Sequence, residues 1–289
     1  MHIRPLKIRQ AQKKYHIGTL LTTTNPKANK SLKKLNIPTA VLHLLPKYRG
    51  GCPFAGTCAE LCLHGAGNPA YMKGKTSARK NRTDFFCDDR ELFMEYLLIE
   101  TVKFRFKYAN YDIVAERLNG TQDNRWERES ITVTREVSEY LYSAYGFSIK
   151  PGRYRNIFYA IRECSTWYAY PEKSGKKMFE FYDYTKRPDR IWDICKQDGY
   201  HLTVSHGSKA DVLRIALDNN LNIAAAFNLK RNATLPLTVK YGTVEFPVVD
   251  GDVTDFRPQD PSNSTHVVGL RLKRVPGMTP SQIKNFCIA

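Results

Sequence analysis

Short apolar runs alternate with polar, helix-like segments along most of this chain. The apolar runs have the length and the β-branched or aromatic content of strands, and they cover residues 18–24, 38–45, 111–118, 178–184, 201–205, 222–228, 244–249 and 266–272. Helical periodicity predicts helices over residues 76–108, 130–145, 189–196 and 208–219. Strands and helices therefore alternate from about residue 76 onward, which is typical of a parallel α/β sheet.

Eight predicted strands permit an irregular, TIM-like (β/α)8 barrel, and a doubly wound open sheet is the alternative. We predict that the 289 residues form a single catalytic domain, with a basic N-terminal segment over residues 1–50 and a cysteine-rich loop over residues 51–75. In either architecture, functional side chains gather where the parallel strands end.

Polar segments follow four of the predicted strands, and their side chains are candidates for a functional site. The candidate catalytic residues are the carboxylates Asp123, Asp183, Asp250 and Asp252, and the candidate substrate-binding residues are Arg117, Asn119, Lys186 and Ser205. Crowded carboxylates such as Asp250 and Asp252 raise one another's pKa, so that one can carry a proton while the other stays ionised. The alternative is an acidic turn in which both aspartates cap loop amides.

The charge of the chain is strongly asymmetric. It has 45 basic and 28 acidic residues, for a formal net charge of +17, and the first 50 residues contain eleven Lys and Arg but no Asp or Glu. A concentrated positive region attracts a phosphate backbone, so we expect DNA as a partner. The predicted contacts are four lysines in a loop between the first two strands and two arginines among aromatic residues: Lys27, Lys30, Lys33, Lys34, Arg153 and Arg155.

Three cysteines lie within eleven residues, at Cys52, Cys58 and Cys62, and His64 follows two positions later. Thiolates are soft metal ligands, so this cluster predicts a metal site. A zinc ion would need the three cysteines and a fourth ligand, either His64 or Cys87. An iron–sulfur cluster is the alternative cofactor, and reduced cysteines packed as small apolar groups are the alternative to any metal.

The compartment follows from two further features. No apolar run approaches the ~20 residues that a membrane-spanning helix needs, and the basic N-terminus lacks the apolar segment of a secretory signal. Seven cysteines are an odd number, which disfavours a disulfide framework and favours a reducing environment. We therefore expect a cytoplasmic protein without a membrane partner.

Five motifs, in this order between about residues 18 and 273, carry a resemblance: CPFAGTCAELCL, RLNGTQD, FEFYDYTK, VVDGDVTDFRPQDP and VVGLRLK. Together they resemble a group of phage proteins related to the DpdA DNA-guanine transglycosylases, which are distant relatives of tRNA-guanine transglycosylase. The resemblance implies a (β/α) barrel with bound zinc, acting in the host cell cytoplasm. It also implies exchange of a guanine in DNA for a 7-deazaguanine base (preQ0 or related), by which phage DNA escapes restriction.

In that family one aspartate attacks the sugar and forms a covalent intermediate, while another shuttles protons. The late zinc motif and the early aspartate motif of the tRNA enzymes are missing from this chain. The resemblance therefore implies only that Asp250 or Asp252, at a late strand end, stands where the nucleophile is expected. Asp123 and Asp183 are the earlier candidates for the proton carrier.

Three functions are consistent with these patterns. The first is a pentosyltransferase that exchanges bases in DNA without a nucleotide cofactor. The second is a nucleic-acid-modifying enzyme in which the cysteines hold an iron–sulfur cluster. The third is a non-catalytic, basic DNA-binding protein with a structural zinc ion.

Overall fold

The computed structural model describes residues 5–65, 72–163, 179–190, 200–207 and 210–288. Its helices are α1 (Leu6–Lys14), α2 (Pro26–Leu35), α3 (Met72–Asp88), α4 (Arg90–Lys107), α5 (Arg135–Tyr145), α6 (Ile157–Arg162), α7 (Ala210–Asp218) and α8 (Pro280–Phe286). Its strands are β1 (Leu21–Thr22), β2 (Thr39–Leu42), β3 (Val114–Arg117), β4 (Ile131–Val133), β5 (Gly152–Tyr154), β6 (Phe179–Thr185), β7 (Tyr200–Ser205), β8 (Ile223–Phe227), β9 (Thr238–Tyr241), β10 (Val244–Asp250) and β11 (Val267–Arg271). Most of the predicted helix at 189–196 lies outside the described residues.

Nine of these strands form one sheet in the order β1-β2-β3-β6-β7-β8-β11-β10-β9. Every neighbouring pair from β2 to β10 is parallel, whereas β1 and β9 join the two edges in the antiparallel sense. The predicted α/β class with a mostly parallel sheet is confirmed. Within the described ranges no pairing joins β1 to β9, so the sheet described here is open and a closed barrel is not shown.

The basic segment before β2 is helical, although its sequence predicted a loop. Asn25 Oδ1 accepts a hydrogen bond from the Ala28 N–H at 2.9 Å, and Pro26 occupies the first turn, where its missing N–H is not needed. Ala28 and Ser31 are buried against the rest of the protein. The prediction was wrong because the lysines hid a short amphipathic helix whose apolar stripe is only a few residues long.

One large apolar core joins β2, β3, β6 and β7 to α1 and to α3 through α7. Its central helix, α4, begins where the Asp89 side chain accepts a hydrogen bond from the Leu92 N–H. Tyr96 and Ile99 of α4 are fully buried in this core, whereas Phe106 near the end of the helix is 53 % exposed. None of the described helices combines the length and the apolar character needed to cross a membrane.

The segment after β10 covers part of the opposite face of the sheet. Phe256 packs its ring against Tyr182 at 5.8 Å between centroids. Beside it, Asp255 pairs with Arg117 of β3 at 3.1 Å. Both carboxylate and guanidinium are almost entirely buried, so this segment is fixed across the sheet and holds Arg117 in place.

Candidate functional site

A cavity of about 220 Å³ opens where the carboxyl ends of the parallel strands meet the cysteine-rich loop. Parallel α/β sheets bind their ligands at this edge. Most of the catalytic, substrate-binding and metal-ligating residues predicted from the sequence line this one cavity: Cys52, Cys58, Cys62, His64, Arg117, Asn119, Asp123, Lys186 and Ser205. Residues that are up to 153 positions apart in the chain therefore form one site.

A tight loop after β2 brings the three cysteines to the cavity. Cys52 has a positive φ of 63°, and a short 3-10 turn over Gly56–Ala59 follows it. The Cys52 thiol donates a weak hydrogen bond to Thr121 O at 3.6 Å, which joins this loop to the turn after β3. Burial raises the pKa of the Cys52 thiol to about 11 and also raises that of Cys58. A bound cation would be needed to hold these sulfurs as thiolates.

Neither predicted fourth ligand is free to join the three cysteines. His64 Nδ1 is 2.6 Å from Arg79 Nη1, and His64 Nε2 is 3.1 Å from Thr76 Oγ1, so both ring nitrogens are engaged. Burial, followed by the charges of Arg79 and Lys75, lowers the pKa of His64 to about 4. Cys87 lies on α3 and lines a different cavity. The described site therefore offers three thiols and an open side that faces the cavity.

The arrangement of these donors does not suit a single bound ion. Within the parts of the chain that the structure describes, no group of three or more His, Cys, Asp or Glu side chains is arranged to hold one metal ion. A mononuclear zinc site needs every sulfur about 2.3 Å from one point. An iron–sulfur cluster instead distributes its thiolates over several iron atoms, so it accepts sulfurs that are farther apart.

The turn after β3 depends on a glycine. A Cβ atom at Gly120 would lie 2.6 Å from Leu42 O and from His43 Nδ1, so no larger residue fits against the end of β2. The adjacent Asn119 is buried, and its side chain bonds to Asn124 and to the indole N–H of Trp126. The predicted substrate-binding role of Asn119 is therefore not supported by its contacts, because this amide shapes the turn.

Asp123 and Lys186 both line the cavity, and the Lys186 N–H joins them. The Asp123 carboxylate accepts hydrogen bonds from Thr185 Oγ1, the Lys186 N–H and Arg190 Nη1, each at 2.8 to 3.1 Å. Lys186 is only 9 % exposed, and its Nζ makes no hydrogen bond to any described residue. Burial lowers the pKa of Lys186, while Cys58 and Asp123 oppose that effect.

Asp183 lies beneath the cavity rather than on its surface. It is fully buried, and it accepts hydrogen bonds from the Asn119 N–H at 2.8 Å and from the Tyr200 hydroxyl at 2.6 Å. Burial raises the pKa of Asp183 to about 6, and the charge of Arg190 is the largest effect in the opposite direction. This carboxylate is placed to support the turn after β3 and has no direct path to a ligand in the cavity.

Asp250 and Asp252 are outside the cavity lining. Arg271 donates to both oxygens of Asp250 at 2.9 and 3.0 Å and to Asp252 at 3.2 Å. Asp252 also accepts the Arg271 N–H, and Asp250 accepts the Asp252 N–H. The two aspartates thus form the acidic turn that was the alternative interpretation of their sequence, with Arg271 as the partner that the sequence did not indicate.

The predicted DNA contacts are separated on the surface. Lys30, Lys33 and Lys34 are exposed on α2, and Lys30 Nζ donates to Asp252 O at 2.8 Å. The side chain of Lys27 lies outside the described residues, although its backbone is part of α2. Arg153 and Arg155 are exposed on and just after β5. The aromatic residues between positions 163 and 179 also lie outside the described residues.

A second, polar cavity of about 180 Å³ was not predicted. Its lining includes four arginines from four separate segments: Arg49, Arg90, Arg125 and Arg187. Arg187 also lies over the ring of Phe54, 5.2 Å from its centroid, and Phe54 lines the first cavity. Nothing in the spacing of single arginines could have indicated this cleft, because only the folded chain brings them together.

The fold and the site define a class: an α/β protein with a cysteine-lined cavity at the carboxyl edge of a mostly parallel sheet. The chain belongs to the family described as Gene product 88, which matches residues 13–158 and 166–288. No curated protein matches the chain, and no solved structure does.

Proposed function

We propose that this chain is an iron–sulfur enzyme that modifies nucleic acid, with Cys52, Cys58 and Cys62 as the protein ligands of the cluster. The observation that carries the proposal is that the three thiols line one cavity, while both nitrogens of His64 are engaged elsewhere. A centre with three protein ligands keeps one position open, and an open position distinguishes reactive metal sites from structural ones.

The arrangement of the donors favours an iron–sulfur cluster over zinc. No group of three or more donors in the described residues is arranged to hold one metal ion, whereas a cluster distributes its thiolates over several iron atoms. A cluster would supply one-electron or radical chemistry to a ligand in the cavity. The protein would contribute the apolar and polar walls that orient this ligand and exclude water.

The residues around the cysteines suit this role. Asp123 links the turn after β3 to the end of β6 through the Lys186 N–H and Arg190, so the two walls of the cavity keep a fixed distance. Arg117 is held by its ion pair with Asp255, and its guanidinium carbon lies 4.6 Å from the centroid of the Tyr184 ring. Rigid supports of this kind hold a substrate close to its reactive geometry.

DNA is the proposed partner because of the charge on the surface. The net charge of +17 and the exposed lysines of α2 attract a polyanion. The arginine-lined cleft lies next to the cysteine cavity. Arg187 lines the cleft and lies over the ring of Phe54, which lines the cavity. A base must leave the stack to enter a cavity of this size, and unstacking costs a few kcal/mol that phosphate contacts would offset.

Base exchange is the second candidate, and one observation favours it: Asp123 lies in the cavity at a strand end, near Lys186. In this reaction a carboxylate oxygen attacks the sugar carbon, the bond to guanine breaks, and the guanine takes up a proton from water. An incoming 7-deazaguanine then attacks the same carbon through N9, returns its N9 proton to water and releases the carboxylate. Asp123 would first have to leave its bonds to Thr185 and Arg190, which is why we rank this candidate second.

The barrel and the zinc ion implied by the family resemblance belong to this second candidate, together with restriction evasion by a phage. What supports the barrel is the run of parallel neighbours from β2 to β10, because a (β/α) barrel is built from parallel strands.

Mass analysis of nucleosides separates the two candidates. DNA is incubated with anaerobically purified protein, once with a reductant and once with a 7-deazaguanine base. A modified nucleoside that appears only with the reductant supports the iron–sulfur enzyme. Release of guanine that depends on the added base supports base exchange. Unmodified DNA in both reactions, from protein that contains no iron or sulfide and still binds DNA, would contradict both proposals and favour the non-catalytic DNA-binding protein.

A further inference from the structure

Lys186 has an environment that stability alone does not explain. It is 9 % exposed, and its Nζ has no hydrogen-bond partner among the described residues. Burial of an ammonium group without a partner costs several kcal/mol, so proteins rarely keep one without a use. Because the lysine lines the cysteine cavity, we expect its function to be there.

Thr57 supplies a second unsatisfied group at the same place. Its Oγ1 is buried and also has no hydrogen-bond partner in the described part of the chain. Thr57 lies in the 3-10 turn that carries Cys58, whereas Lys186 follows β6, so two distant segments each bring an unsatisfied polar atom to this place.

Gly207 defines the space between them. A Cβ atom built on Gly207 would lie 3.2 Å from Lys186 Nζ and 3.4 Å from Thr57 Oγ1. The φ of Gly207 is +75°, a conformation that glycine adopts without strain. The absence of a side chain leaves a small cradle with an ammonium donor on one side and a hydroxyl donor on the other.

We propose that Lys186 Nζ and Thr57 Oγ1 form an oxyanion-binding subsite in the cavity, beside the three cysteines. An ammonium and a hydroxyl are both donors, and their shared complement is a carboxylate or phosphate oxygen. The remainder of the lining includes Phe54, Leu61, Leu270 and Phe286. The ligand is therefore an amphipathic molecule with an oxyanion at one end and an apolar or aromatic body at the other.

This inference rests on the proposed function only for the neighbouring metal centre; the subsite itself consists of protein donors. Its oxyanion has two possible sources, a small co-substrate or a phosphate of the DNA. The cavity of about 220 Å³ has room for either a small molecule or one flipped nucleotide. The experiment therefore contains an arm for each.

Thermal unfolding of the as-purified protein tests the subsite, with inorganic phosphate as the probe against chloride at constant ionic strength. Wild type should be stabilised by phosphate, with a melting temperature about 3 °C higher near ten times the dissociation constant. Lys186→Met should lose this response, and Thr57→Val should reduce it. Lys240→Met removes an exposed lysine from β9 and should respond as wild type does.

The melting temperature without phosphate provides a second readout. Lys186→Met should unfold at a higher temperature than wild type, because a buried ammonium group without a hydrogen bond is replaced by an apolar side chain of similar length. A variant that merely fails to fold would show the opposite. Wild-type phosphate stabilisation in Lys186→Met, or a lower melting temperature in that variant, would overturn the subsite.

A binding titration with a short single-stranded DNA then identifies the source of the oxyanion. Weaker DNA binding by Lys186→Met indicates a backbone phosphate, and unchanged DNA binding indicates a small co-substrate. Metal content is measured on the same samples. Metal-free protein with a Lys186-dependent phosphate response would contradict the proposed function but not the subsite, and metal-bound protein without that response would do the reverse.

Discussion

Two clusters of polar residues at strand ends have opposite characters. In the turn after β10, Asp250 and Asp252 share Arg271, and their carboxylates also accept backbone N–H groups. In the cysteine cavity, Lys186 and Thr57 each bury a donor that finds no partner among the described residues. The first cluster satisfies itself and stabilises a turn, whereas the second is left to be satisfied by a ligand.

The comparison shows that the density of charged residues in a sequence is a poor guide to function. The acidic turn attracts attention because its residues are adjacent, and adjacency is also what lets them bond to one another. The cavity is assembled from separate segments, so its donors have no local partners. Unsatisfied donors in a concave site are the stronger sign of a function.

The largest effect is expected from Cys58→Ser. The variant should lose the metal and unfold at a much lower temperature, because the energy of metal binding is part of the energy of folding. Cys287→Ser is the matched control, since Cys287 is half-buried at the end of α8 and does not line the cysteine cavity. Equal melting temperatures for Cys58→Ser and wild type would contradict a metal-binding role for this thiol.

A smaller effect is expected from Asp123→Asn. The amide would turn a donor toward Arg190 or the Lys186 N–H, and Arg190 is fully buried. Loss of one partner of a buried ion pair costs about 3 kcal/mol, to be measured by denaturant unfolding. Asp218→Asn, at the exposed end of α7, should change the free energy of unfolding by less than about 0.5 kcal/mol. Equal values for both variants would mean that the Asp123 network does not hold the cavity walls.

DNA binding should respond to the lysines of α2, which contact the acidic turn through Lys30. Replacement of the exposed Lys33 and Lys34 by Gln should reduce the slope of log affinity against log salt by about 0.9 for each lost phosphate contact. Arg214→Gln together with Lys240→Gln removes two other exposed charges as a control. An unchanged slope in the Lys33 and Lys34 variant would move the DNA to another surface, such as the arginine-lined cleft.

The smallest effect is expected from Asp250→Asn. Asp250 is 38 % exposed in its pair with Arg271, so the change should cost no more than about 1 kcal/mol of unfolding free energy. Modification of DNA should continue at the wild-type rate. Complete loss of modification in a well-folded Asp250→Asn protein would reverse the comparison and make the acidic turn the reactive site.

Much of the fold was predictable because strands and helices differ in the period of their apolar residues. The parallel sheet and the long helical region before β3 follow from this pattern. The α2 helix was missed because its cap, Asn25, and its short stripe are masked by lysines. The order of the strands was beyond prediction, since β11 lies between β8 and β10 in the sheet although it follows both of them in the chain.

The site was predictable in part. The cysteines were found because they are clustered in the sequence, and Asp123 and Lys186 were found because each follows a predicted strand. The parallel sheet then brings their segments to one edge. Thr57 was missed because a single threonine carries no pattern. Gly207 was missed because the space that its lack of a side chain leaves can be recognised only in the folded structure. The partners of Asp183 and Asp250, Tyr200 and Arg271, lie on other strands and were likewise invisible.

The identity of the bound metal tests the central claim most directly. The protein is purified without oxygen, and its iron, acid-labile sulfide and zinc are measured beside its visible absorption spectrum. The account predicts a brown protein with iron and sulfide in equal amounts, and their loss in Cys52→Ser, Cys58→Ser and Cys62→Ser. Zinc in their place would favour base exchange, and a stably folded, metal-free wild type would contradict the claim.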